Sequence, residues 1–202
     1  MNTGEHIAAL ILAAGRSSRM GTIKPLLPLG EDTLLERIIS LFRAAAISDI
    51  LVVLGHAAES FIPLLQKQDV RWVINPDYDR GMFSSVQTGV EKMAPACRAF
   101  FLMPADVPLV RLETLKTLLS VYHKKKMDVY RPCYQTKCGH PPLISTKLAR
   151  PIRDFDEPGG LRALLAHYEQ TSLEVSCDDP GILIDLDTPA DFEKNITHAR
   201  HV

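Results

Sequence analysis

A chain of 202 residues, 46 % hydrophobic and 23 % charged, is long enough to bury a sizeable core and has an ordinary globular balance, expected as a single domain over residues 1–202. Its formal net charge of −1 excludes a global field that would recruit nucleic acid or an acidic membrane surface. No apolar stretch reaches the roughly 18 residues needed to span a bilayer, and no basic start followed by a long apolar region marks a signal peptide.

Strands and helices alternate along the chain. Ile7–Leu12 is predicted as a strand. Thr33–Ala46 is predicted as a helix, with apolar residues at helical spacing and a capping box from Thr33 and Glu36. Ile50–Leu54 is a continuous apolar run, hence a strand buried on both faces. A helix over Ala57–Gln66 has to tolerate Pro63 or end there. Val70–Ile74 is a strand, Ser84–Met93 a helix, Ala99–Met103 a strand, and Leu112–Tyr122 a helix. The run Lys124-Lys125-Lys126 fits a solvated loop after that helix. Met127–Tyr130 and Pro142–Ile144 follow as shorter strands. Gly160–His167 is helical, Ser172–Val175 and Ile182–Ile184 are extended, and Pro189–Asn195 makes a last short helix. Such alternation implies an α/β fold with right-handed crossovers and a mainly parallel sheet covered on both sides. The less regular second half, with its Pro and Gly clusters at Gly139–Pro142 and Pro158–Gly160, is expected as an insertion covering the site. The four cysteines, Cys97, Cys133, Cys138 and Cys177, form no CxxC pair. They suggest neither a zinc ribbon nor a disulfide framework, and are expected as reduced thiols in a cytoplasmic protein.

Ligands of open parallel sheets lie beyond the carboxyl ends of the strands, and the chemistry-bearing residues obey that rule. The loop Ala13–Lys24 follows the first strand, Gly55-His56 the second, Asn75-Pro76 the third and Asp106 the fourth. The first loop carries Gly15, Arg16, Ser17, Arg19, Gly21 and Lys24, and no acid within it balances the three cations. Small residues and glycines let a backbone come close to a ligand, so a di- or triphosphate is the natural guest. The loop matches neither the P-loop nor the dinucleotide fingerprint. Asp106, held between prolines in Met103-Pro-Ala-Asp-Val-Pro108, suits Mg²⁺ or caps the next turn. Asp185 and Asp187 stand two apart and face one way if extended, as metal ligands, while Asp187 or Thr188 also suits a helix cap ahead of Pro189. His140 in Cys138-Gly-His-Pro-Pro142 is a phosphate donor, a base, or a passenger in a turn. Ser84 or Ser85 caps a helix or meets an anion there. A cationic loop with one to three carboxylates points to metal-assisted transfer at a phosphate.

The segment LILAAGRSSRMGTIKPLLP (Leu10–Pro28) resembles the signature of MobA-like nucleotidyltransferases, closest to the molybdenum cofactor cytidylyltransferase branch. NPDYDRGMFSSVQTG (Asn75–Gly89), PADVPLV, GHPPLI (Gly139–Ile144), PGGLRALL (Pro158–Leu165) and IDLDTPADF (Ile184–Phe192) come in that branch's order. The resemblance implies a Rossmann-like three-layer sandwich of the nucleotide-diphospho-sugar transferase type. It also implies a Mg²⁺-dependent reaction in which an acceptor phosphate attacks the α-phosphate of a nucleoside triphosphate and pyrophosphate leaves. Leu12, Ala13, Ala14 and Gly15 would line base and ribose. Arg19 and Lys24 would hold the triphosphate as catalytic residues, with Arg16, Ser17, Gly21, Gly55, Asn75 and Ser85 completing the nucleotide site. Asp106, with Asp187 and Asp185, would bind the metal, and Ser84, Gly139, His140 and Pro141 would face the acceptor. Ala-Ala-Gly favours CTP over GTP, and the implied partners are CTP, molybdopterin and molybdoenzyme maturation factors. The chain departs from the branch at PADVP, at Lys137-Cys138 where an arginine is expected, and at Pro158-Gly159-Gly160 where Gly-Asp-x-Gly is usual. The runner-up is the same chemistry on a sugar phosphate or methylerythritol phosphate. A non-catalytic nucleotide- or cofactor-binding protein is a third reading, against which Lys24 and Asp106 both count.

Overall fold

The structure, a computed structural model, describes residues 6–16 and 22–199. It opens with β1 (His6–Ala13), a small ladder of β2 (Pro28–Leu29) and β3 (Asp32–Thr33), and α1 (Leu34–Ala44). Then come β4 (Asp49–Leu54), α2 (Ile62–Lys67), β5 (Arg71–Ile74), α3 (Met82–Glu91), β6 (Cys97–Pro104) and α4 (Leu112–Lys124). The remainder is β7 (Val129–Tyr134), β8 (Lys137–Cys138), β9 (Leu143–Ser145), α5 (Ala149–Asp154), α6 (Gly160–Ala166), β10 (Ser172–Ser176) and α7 (Pro189–Ala199). The main sheet runs β10-β7-β9-β6-β1-β4-β5, with β8 hung on β7. β1 pairs in parallel with β4 and β6, β4 with β5, and β10 with β7, while β9 lies antiparallel between β6 and β7.

Period-two alternation along β1 builds the layers. Ala9, Ile11 and Ala13 point to one face, where Leu35, Ile38, Ile39 and Phe42 of α1, Leu65 of α2, and Leu115 and Leu118 of α4 cover them. Ala8, Leu10 and Leu12 point to the other, under Val86 and Val90 of α3, Ile152 of α5 and Leu164 of α6. α1 starts at the expected capping box, the Thr33 hydroxyl accepting from the Glu36 N–H and the Glu36 carboxylate from the Thr33 N–H. The mostly parallel three-layer α/β sandwich expected from the sequence is the fold observed.

Three expectations are corrected. The second half is no insertion: β7, β9 and β10 continue the same sheet, because apolar Val129, Tyr130, Leu143 and Ile144 are buried in it. Residues 57–66 divide into a 3₁₀ turn (Ala58–Ser60) and α2, whose Pro63 occupies the first turn, where its missing N–H costs nothing. Pro180–Leu183 is a 3₁₀ turn rather than a strand over Ile182–Ile184, since the buried Asp179 side chain accepts from the Gly181 N–H.

Candidate active site

A cleft of about 440 Å³ opens at the carboxyl ends of β1 and β6, within the range of small-molecule sites. Leu12, Ala13, Ala14 and Gly15 form one wall, Pro104, Ala105 and Asp106 another, with Lys24, Pro25 and Asp187 between them. Tyr78, Gly81, Met82 and Ser85 close the third side. The first two walls are locked together where the Ala105 N–H donates to the Leu12 carbonyl (2.9 Å). Among the described residues, an added side chain at Gly15 would meet nothing within 4 Å, so its backbone is open to a ligand on that count.

Lys24 is buried, and its ammonium donates to Asp187 Oδ1 at 2.7 Å and to Asp106 Oδ2 at 3.3 Å. Residues 82 and 163 positions away thus converge on one cation. Asp106 spends its carboxylate on this contact rather than on a turn, and its backbone carbonyl accepts from the Leu186 N–H (2.9 Å). Leu186 packs with Leu29, Leu34 and Leu109, which fixes the Asp185–Asp187 segment beside β6. Thr188 takes the capping role for α7 by reciprocal bonds with Asp191 and leaves Asp187 to face Lys24. Burial, and then the charges of Asp106 and Asp187, raise the Asp185 carboxyl above its usual range. Among the described residues, Asp106, Asp185 and Asp187 do not gather their ligand atoms within 4.8 Å. Asp106 and Asp187 nonetheless offer hard oxygens to one positive charge, a donor set that fits Mg²⁺.

His140 lies behind these carboxylates. Its Nδ1 is buried without a hydrogen-bond partner among the described residues. Burial pushes its imidazole below the ordinary range, and the nearby Asp185 and Asp106 oppose that shift without overcoming it. Gly139 does not line the cleft: an added Cβ would stand 2.0 Å from the Ile182 carbonyl, so glycine serves close backbone approach there. Pro141 follows across a cis peptide bond and is buried.

The first loop is not simply cationic. Arg16 makes a bidentate pair with Asp79, at 2.8 and 2.7 Å, and lies 5.6 Å from the centre of the Tyr78 ring. Ser17, Arg19 and Gly21 lie outside the described residues. Gly55 and Asn75 support the cleft from behind. A Cβ at Gly55 would come within 2.7 Å of Tyr78 and 2.8 Å of the Ala14 carbonyl. Buried Asn75 donates to the hydroxyls of Ser84 (2.8 Å) and Ser85 (3.0 Å) and accepts from the Asp77 N–H. Ser84 is absorbed in that loop, its hydroxyl directed at the Asp77 and Gly81 carbonyls, so it does not face the cleft as expected, whereas Ser85 does. Tyr78, Met82 and Pro25 line the cleft without having stood out in the sequence. Tyr78 lies within the Asn75–Gly89 segment, an aromatic among turn residues, which was the available signal.

The cysteine expectation is also corrected. Cys133 and Cys138 form a disulfide, because the β7–β8 register sets them opposite one another, while Cys97 and Cys177 are free and buried.

Comparison with known proteins agrees with this geometry. The chain is 28 % identical over 188 residues to the molybdenum cofactor cytidylyltransferase of Escherichia coli, spanning 92 % of this chain and 93 % of that protein. It is 26 % identical over 199 residues to a probable molybdenum cofactor guanylyltransferase of Carboxydothermus hydrogenoformans, spanning 94 % and 95 %. A nucleotidyl transferase structure from Methanothermobacter thermautotroptrophicus superposes with a TM-score of 0.82 at 25 % identity, covering 98 % of this chain and 99 % of the other. Residues 9–172 match the model of the MobA-like NTP transferase domain, so the chain belongs to that family and is a nucleotidyltransferase.

Proposed function

We propose that this nucleotidyltransferase is Mg²⁺-dependent and transfers CMP from CTP to molybdopterin, releasing pyrophosphate. The observation that carries this reading is Lys24, a buried ammonium between Asp106 and Asp187 at the floor of a cleft walled by the Leu12–Gly15 backbone. The ribose and base fit along that wall, where Gly15 leaves room. An oxygen of the acceptor phosphate attacks the α-phosphorus. The bond from that phosphorus to the bridging oxygen breaks, and the electron pair leaves with pyrophosphate. Lys24 holds its charge beside the phosphate oxygens as negative charge builds on them, a contribution on the order of 3–4 kcal/mol in comparable sites. Asp106 and Asp187 would hold the magnesium, which when bound offsets charge on the phosphates. Ala-Ala-Gly in the first loop supports CTP, and the kinship with a guanylyltransferase makes GTP the competitor to test.

The protein is incubated with Mg²⁺ and each of the four nucleoside triphosphates, with and without molybdopterin, and products are identified by mass. A cytosine dinucleotide formed only with CTP and molybdopterin is expected; a guanine product, or none, overturns the substrate assignment. Asp106→Ala is expected to lower turnover by about 10²-fold or more with the circular dichroism spectrum unchanged. Wild-type rates in that variant would remove Asp106 from the metal site.

A further inference from the structure

The Cys133–Cys138 disulfide lies in the molecule where it bears on the candidate acceptor side. β8 is two residues long and is held to β7 by the pairs Cys133↔Cys138 and Tyr134↔Lys137. A hairpin with so little ladder is marginal in water without another fastening, and here the fastening is covalent. The chain then passes directly into the Gly139–Pro141 segment. The Gly139 N–H donates to Pro132 in β7 (2.9 Å), and the His140 N–H to Ile182 (2.9 Å), three residues before Asp185. One residue separates Cys138 from His140. The other two thiols, Cys97 and Cys177, are buried, and burial raises both of their pKa values, that of Cys97 to about 11. Thiol chemistry is thereby concentrated on the hairpin, where Cys138 is exposed and Cys133 buried.

We propose that Cys133 and Cys138 are a reversible thiol–disulfide site whose state sets how firmly the Gly139–His140 segment is seated against Ile182, and through it the affinity for the acceptor. The effect on acceptor affinity rests on the function proposed above. Opening needs an external dithiol reductant. One of its thiolates attacks the exposed Cys138 sulfur, the protein S–S bond breaks, and the electron pair goes to the Cys133 sulfur, which takes a proton. The second external thiol then displaces Cys138, which leaves as a thiol. Two electrons and two protons have moved to the protein, and the reductant has become a disulfide.

The test compares protein equilibrated with oxidised and with reduced dithiothreitol. EDTA is present during equilibration and is removed before magnesium is added, because Cys133, Cys138 and Glu174 place three possible ligand atoms within 4.8 Å of one another. Thiol titration in denaturant should count two thiols in the oxidised protein and four in the reduced one. Reduction should speed amide exchange at Gly139 and His140 by about tenfold or more. It should also raise the KM for molybdopterin by about threefold or more, with the KM for CTP unchanged. The double variant C133S/C138S should match the reduced protein and ignore dithiothreitol; Cys138→Ser alone should do the same should the double variant fold poorly. Four thiols in the oxidised protein, equal exchange in the two states, or an acceptor KM indifferent to reduction would each overturn the proposal. If no nucleotide is transferred in either state, the function proposed above fails, and the thiol site is decided by exchange alone.

Discussion

Arg16 and Lys24 belong to one loop, yet their surroundings assign them different work. Lys24 is buried against two carboxylates. Arg16 is exposed, and its partner Asp79 is exposed as well, so the pair adds little to folding in water. Its consequence is for binding: the guanidinium holds Asp79 below the usual carboxylate range and is itself held away from any incoming phosphate. Asp79→Asn should therefore leave the melting temperature unchanged and tighten triphosphate binding by up to about fivefold, the worth of an exposed ion pair. Arg16→Ala should weaken it by a similar factor. Calorimetric titration with CTP measures both; equal affinities in the two variants and the parent would show that Arg16 takes no part in binding. Sequence showed the cation and not its restraint, since Asp79 is 63 residues distant. Asp106 and Asp187 were legible because each ends an apolar run beside prolines. The packing of Gly55 on Tyr78 and of Gly139 on Ile182 was not legible, because it depends on which distant chain comes against them, and the Asn75–Ser84 bond depends on how the intervening loop folds back.

At the level of elements, local periodicity was readable wherever it alone sets the structure. The strands β1, β4 and β5 and the helices α1 and α4 stand within a few residues of the spans read from apolar spacing, and the Thr33–Glu36 box marks the start of α1. The 3₁₀ turn at Pro180–Leu183 was not readable, because it is fixed from outside. Buried Asp179 accepts from the Arg111 N–H and the Thr114 hydroxyl as well as from Gly181, and a Cβ on Gly181 would meet the Leu109 carbonyl at 2.0 Å. Helix α3 shows how tightly the layers are set. Gly89 faces the sheet, and a methyl group there would come 2.4 Å from a Leu10 Cδ and 2.9 Å from a Val53 Cγ. Alanine favours a helix interior over glycine by about 0.8–1.0 kcal/mol, but overpacking a filled core costs about 1–3 kcal/mol. The steric effect should win, and Gly89→Ala should lower stability in urea unfolding. A stabilised variant would show that α3 can withdraw from the sheet freely.

Across the whole molecule, the order of the sheet brings together what the chain keeps apart. β1, flanked by β4 and β6, brings the start of the first loop and Lys24 beside Asp106, and antiparallel β9 joins a second group of strands whose hairpin delivers His140. Alternation predicted parallel βαβ units but carried no sign of that antiparallel seam, because Leu143–Ser145 is only three residues long and its direction is set by neighbours. The seam has a consequence for pH. Burial keeps His140 neutral in the folded chain at pH values where the unfolded chain already takes a proton. Below the ordinary value of 6.5 the unfolded state is thus favoured progressively, until His140 is protonated in the folded state too. Each tenfold difference in proton affinity between the two states is worth about 1.4 kcal/mol. Asp185 acts in the opposite sense: its raised carboxyl takes up a proton more readily in the folded chain, which loses stability as pH rises above 3.8. Urea unfolding at about pH 5.5 and about pH 7.5, across the histidine range, should show the parent less stable at the lower pH, beyond what its other histidines contribute. His140→Gln, which does not titrate, should reduce that difference, and should do so in an Asp185→Asn background as well. An unchanged slope in both backgrounds would mean that His140 takes up its proton alike in the folded and unfolded chains, so that burial does not lower it; a difference enlarged by His140→Gln would mean that the carboxylates, rather than burial, govern it.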